Sequence, residues 1–98
     1  MATFITTMHF TEQGIKAIRN TCERAAALKA TGKKMNVDVK EIYWTLGAFD
    51  GVLICEAASE DAVTAFLVHV GSQGNVRTQT VRAYDAAGMQ KILGLLPK

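Results

Sequence analysis

Two glycine-punctuated segments constrain this chain most: Gly47-Ala48-Phe49-Asp50-Gly51-Val52 and Gly71-Ser72-Gln73-Gly74-Asn75-Val76-Arg77-Thr78. The first reads as a tight turn feeding Val52-Leu53-Ile54-Cys55, an unbroken apolar run that suits a central strand covered on both faces. The second reads as a helix exit at Gly71 that leads into a strand of polar alternation. With both ends of the central region fixed in this way, few topologies remain.

The flanking sequence supplies the other elements. Thr3 to Phe10 is rich in β-branched and aromatic residues and reads as a first strand. Thr11 is a good N-cap with Glu12 behind it, opening one long helix to about Ala30. Its inward face is Ile15, Ile18, Cys22, Ala25 and Ala26; Lys16, Arg19, Asn20, Glu23 and Arg24 form the solvated side, and Gly32 fits the C′ position. Val39 to Leu46 alternates as a second strand, with Val39, Glu41, Tyr43 and Thr45 on one face and Lys40, Ile42, Trp44 and Leu46 on the other. Ser59-Glu60-Asp61 starts a second helix that buries Val63, Phe66 and Val70. Val76 to Tyr84 is the fourth strand, and Asp85 caps a short final helix with Met89, Ile92, Leu93 and Leu96.

The order strand, helix, strand, strand, helix, strand predicts an α+β fold. It is a ferredoxin-like βαββαβ sandwich with a four-stranded antiparallel sheet and a short C-terminal helix. Both long helices lie on one face of such a sheet. The chain has 98 residues, 49% of them hydrophobic and 20% charged, so residues 1–98 make a single domain with more apolar side chains than its core can hide. The uncovered sheet face therefore calls for a partner. Packing two sheets face to face, as a dimeric α/β barrel, satisfies it.

Composition excludes several function classes. A net charge of +2 is too small to imply a nucleic-acid or membrane partner. The apolar runs fall far short of the ~20 residues of a membrane span. The N-terminus lacks the basic start and apolar run of a secretory signal, which predicts a cytoplasmic protein. Cys22 and Cys55 have no zinc-like spacing and are expected as free, buried thiols; no metal and no cofactor are expected. Gly32-Lys33-Lys34 is no phosphate loop, since it closes a helix, and Gly71-x-x-Gly74 has no preceding strand to make a dinucleotide fingerprint. The central strand offers no aromatic side chains on which bases could stack.

Three stretches carry a resemblance. Gly47-Ala48-Phe49-Asp50 with Gly51-Val52-Leu53-Ile54 resembles the Gly-Tyr-Asp turn of the GYD-domain family, with Phe49 in the tyrosine's place. Thr11-Glu12-Gln13-Gly14-Ile15-Lys16 is similar to that family's first helix start, and Gly71 through Ala83 to its most distinctive stretch. The resemblance implies membership of the dimeric α/β-barrel group, which includes cofactor-free monooxygenases, haem-degrading enzymes, chlorite dismutases and ligand-sensing domains. The GYD family itself has no agreed activity. Phe49 lacks the phenolic hydroxyl that a chemistry built on the tyrosine would need.

The candidate site residues are few. Thr78, Thr80 and Arg82 share one face of the fourth strand and make a polar stripe able to hold an anionic or oxygen-rich ligand, with Arg77 on the other face. Trp44 is a candidate floor for a small pocket. His9 and Asp50 are weak catalytic candidates; a lone histidine is more often structural, and an aspartate in a glycine-flanked turn more often binds local backbone. The leading expectation is a homo-oligomer binding a small organic ligand in or beside the sheet–sheet interface. A cofactor-independent monooxygenase or isomerase and a purely structural or regulatory assembly module stand as alternatives, so enzymatic activity is left open.

Overall fold

The structure is a computed structural model that describes residues Met1–Lys98. Strands β1 (Ala2–Phe10), β2 (Val37–Trp44), β3 (Gly51–Ala57) and β4 (Val76–Ala83) form one antiparallel sheet in the order β2-β3-β1-β4. Helices α1 (Glu12–Lys16) and α2 (Thr21–Lys34) connect β1 to β2, α3 (Glu60–Ser72) connects β3 to β4, and α4 (Ala86–Leu93) follows. The ferredoxin-like α+β arrangement is therefore the observed one. No helix is long and apolar enough to cross a membrane.

The core lies between the sheet and helices α2 and α3. Gly51, Leu53, Cys55 and Ala57 alternate inward along β3, Phe4 and Thr6 do so along β1, and Val63, Phe66 and Val70 meet them from α3. Only 13 of the 98 residues are buried, so the chain hides little apolar surface by itself. The other sheet face carries Ile5, Thr7, Val52, Ile54 and Val81 with no helix over it. Helix α4 buries none of its residues, and the molecule measures 55 Å along its longest axis against 18 Å along its shortest.

Four local expectations need correction. The predicted first helix is interrupted: α1 ends at Ala17, a 3-10 turn spans Ile18–Asn20, and α2 restarts at Thr21. The interruption resets the helical phase, so Ile15 and Cys22 are exposed while Arg24, Ala25 and Leu28 turn inward. Gly32 is a buried residue inside α2, set against the Val37 carbonyl, and Asn36 at φ 62 makes the left-handed exit. Along β2, a bulge at Lys40 leaves Val39 opposite Cys55 but Glu41 opposite Ile54. Ile42 and Trp44 thus join Val39 on the helix side, and Tyr43 goes to the open side. Helix α3 runs past Gly71 to Ser72, and Gly74 at φ 83 turns the chain into β4.

Candidate functional site

The break before Thr21 creates a cavity. Because α2 restarts there, Thr21, Arg24, Leu28 and Thr31 line up at helical spacing over the sheet. Beneath them lie Met8 and Phe10 from β1, Ile42 and Trp44 from β2 and Leu53 from β3, with His69 and Val70 of α3 closing the far side. The cavity volume is about 250 Å³. At its mouth the Trp44 indole N–H donates to Thr21 Oγ1 at 2.9 Å, linking the edge strand to the start of α2. Arg24 reaches along the wall, donating from Nη1 to the Ala17 carbonyl at 2.7 Å and from Nη2 to the Gly14 carbonyl at 3.3 Å.

One end of the sheet gathers the three stretches that looked distinctive in the sequence. Asp50 Oδ2 accepts the Phe10 N–H at 2.9 Å, and the Asp50 N–H donates to the Met8 carbonyl at 2.8 Å. His9 Nε2–H donates to the Ala48 carbonyl at 2.9 Å. Thr11 caps α1 by accepting the Gly14 N–H at 3.1 Å and donates to the Gly74 carbonyl at 2.5 Å; its own N–H donates to the Asn75 carbonyl at 3.1 Å. Gln13 Nε2 donates to the Gln73 carbonyl and to Asn75 Oδ1, both at 3.0 Å. The turn before β3, the start of α1 and the α3 exit are thus one hydrogen-bonded unit around the end of β1.

The structure distributes the sequence candidates over separate places. Thr78, Thr80 and Arg82 share a face as expected, but it is the helix side of β4, while Trp44 lies on β2 at the opposite edge of the sheet. Thr80 Oγ1 shares a hydrogen bond with Thr6 Oγ1 at 2.7 Å. Arg82 donates to the carbonyls of Thr3 and Ala83, and its guanidinium lies 4.3 Å from the Tyr84 ring centroid and 5.6 Å from that of Phe4. These residues knit β4 to β1 and do not line the cavity. His9 sits on the open sheet face opposite Arg77, away from Trp44; Asp50 borders the cavity but is tied to backbone. Burial pushes the Cys55 thiol up to about 11, with the nearby Asp38 charge adding to it, so it is no ready nucleophile. Reading the sequence as one helix missed Arg24, which it assigned to the solvated side. No cap announces the restart, since the Asn20 side chain makes no capping hydrogen bond at the start of α2.

The model of the GYD domain matches residues 4–93. The chain belongs to the GYD-domain family. A Thermus thermophilus protein named glutamine synthetase and cystathionine beta-lyase binding protein is 29% identical over 90 residues, covering 91% of this chain and 95% of that one. Among solved structures, the crystal structure of MtbAldR superposes with a TM-score of 0.68 at 14% identity, over 86% of this chain and 52% of that one. That likeness is one of fold, and the GYD chain spans about half the length of MtbAldR.

Proposed function

We propose that this GYD-domain protein is a binding protein that acts by docking onto other proteins, residues 1–98 serving as one domain that pairs with a second copy. The observation that carries the reading is the uncovered sheet face, where Ile5, Val52, Ile54 and Val81 form an apolar centre. Two copies joined there would make the dimeric α/β barrel. The Thermus relative, named for binding two enzymes, supports protein partners of the same kind. Small organic ligand binding belongs to the same reading, with room for it in the cavity under α2. We place the protein in the cytoplasm, where its two free thiols stay reduced. His9 and Asp50 each have a backbone partner, which favours structural tasks over catalysis.

The test is titration of the immobilised protein with purified glutamine synthetase and cystathionine β-lyase, alongside a substituted protein with lysine at Val52 and Ile54. Saturable binding of either enzyme supports the docking, and a fall in light-scattering mass on the double substitution supports the pairing. Failure of both enzymes to bind overturns the choice of partner, and a light-scattering mass of one chain at micromolar concentration overturns the pairing.

A further inference from the structure

We propose that the cavity under α2 is a binding site for a small, mainly apolar carboxylate, with Arg24 receiving the charged end. This rests on the ligand-binding part of the reading above and is independent of the protein-docking part. More than half of the lining is apolar, with Met8, Phe10, Leu28, Ile42, Leu53 and Val70, while Thr21, Thr31, Gln73 and Asn75 add neutral polar groups. A volume of about 250 Å³ exceeds the ~150 Å³ of cavities that take up benzene, and accommodates on the order of ten non-hydrogen atoms.

Arg24 sets the chemical class. It is half-buried, and its two hydrogen bonds go to neutral backbone carbonyls. Three of the five N–H groups of a guanidinium are then left without a protein partner. The ion pairs of the protein lie elsewhere, at Lys16–Glu12 and around Lys40, so no carboxylate neutralises Arg24. Asp50 and His69 also border the cavity; Asp50 is occupied by the Phe10 N–H. A guanidinium with three N–H groups to spare, bordering a largely apolar cavity, matches a carboxylate at one end of a hydrocarbon or aromatic body. The Trp44–Thr21 hydrogen bond lies among the residues that line the cavity and is exposed to solvent.

Trp44 is the single tryptophan of the chain and borders the cavity, so its fluorescence reports on occupancy directly. The native full chain is titrated with 3-phenylpropionate and, in parallel, with its uncharged amide, 3-phenylpropanamide. The acid is expected to bind about tenfold or more tightly than the amide, since only the acid carries a negative charge to pair with the Arg24 guanidinium. Arg24→Gln is expected to erase that preference, bringing the affinity of the acid down to that of the amide. Should that variant fail to fold, Leu28→Phe, which fills the cavity, is expected to abolish the response to both probes. Equal affinities in the native chain, no Trp44 response to the acid, or acid binding that survives Leu28→Phe would each overturn the proposal, and none bears on enzyme docking.

Discussion

Gly14 and Gly71 show how far a residue's setting outweighs its type. A Cβ on Gly14 would stand 1.9 Å from the Asn75 carbonyl oxygen and 2.9 Å from its carbon, and backbone cannot step aside cheaply. Gly14→Ala is expected to lose at least about 2 kcal/mol, because the clash also forces apart the Thr11–Asn75 hydrogen bond. Gly71 lies inside α3 with open space around it, so Gly71→Ala should stabilise by about 0.5–1 kcal/mol through helix propensity and a less flexible unfolded chain. Urea midpoints of the two variants check both, and a loss at Gly71 would mean that the site is not open. Cys55 gives a pH-dependent counterpart. Its thiol is held at about 11 in the folded protein against 9.0 for the free group, so the folded state binds that proton more tightly. The resulting stability is fully present below pH 9 and falls away as pH rises towards 11. Cys55→Ala should be less stable at neutral pH but flatter across that window, as read from urea midpoints compared with the parent protein.

The elements show what the sequence made legible and what it hid. Strands β1 and β3, the Ser59 and Asp85 caps and the topology could be read directly, because cap chemistry and apolar alternation are local signals. Two features could not. The bulge at Lys40 inverts the outer half of β2, yet Lys40 itself looks like any strand residue; its purpose emerges only where its amine lies 3.0 Å from Asp38 and 3.9 Å from Glu56 across the open face. The break at Ile18–Asn20 likewise moved Arg24 from the solvated side to the cavity wall, and so concealed the charged group of the candidate site. The polar stripe on β4 was correctly grouped, but which sheet face it occupies depends on the register between β1 and β4, a long-range property. Asp50 illustrates the intermediate case, since its turn-binding role was legible and its distant partner, the Phe10 N–H, was not. Asp50→Ala would orphan that donor in a half-buried place. A loss of about 1–3 kcal/mol is expected, with the amide hydrogen of Phe10 among those whose exchange accelerates most.

At the scale of the whole molecule, the open face and α4 belong to one argument. A four-stranded face built from strands of seven to nine residues presents roughly 500 Å² per chain from strand spacing and rise. Two such faces reach only about 1,000 Å² together, below the ~1,200–2,000 Å² of a standard stable interface. The dimer proposed above therefore needs contact beyond the sheet face, and α4 is the exposed apolar element available to supply it. Its Met89, Ile92, Leu93 and the following Leu96 form an apolar stripe with no cover in the single chain: Met89 is 46% exposed, Leu93 45% and Leu96 62%. A helix so poor in internal contacts keeps its apolar stripe exposed unless a neighbouring surface receives it. If α4 lies across the partner's sheet edge, removing residues 86–98 should weaken self-association at least tenfold while leaving the core, to which α4 contributes no buried residue, intact. Sedimentation of the shortened and full chains over a concentration series measures the first, and thermal unfolding at a concentration where both are monomeric measures the second. Equal dimer affinity in the two would leave the apolar stripe of α4 to a different protein, and the sheet face would then have to sustain the dimer by itself.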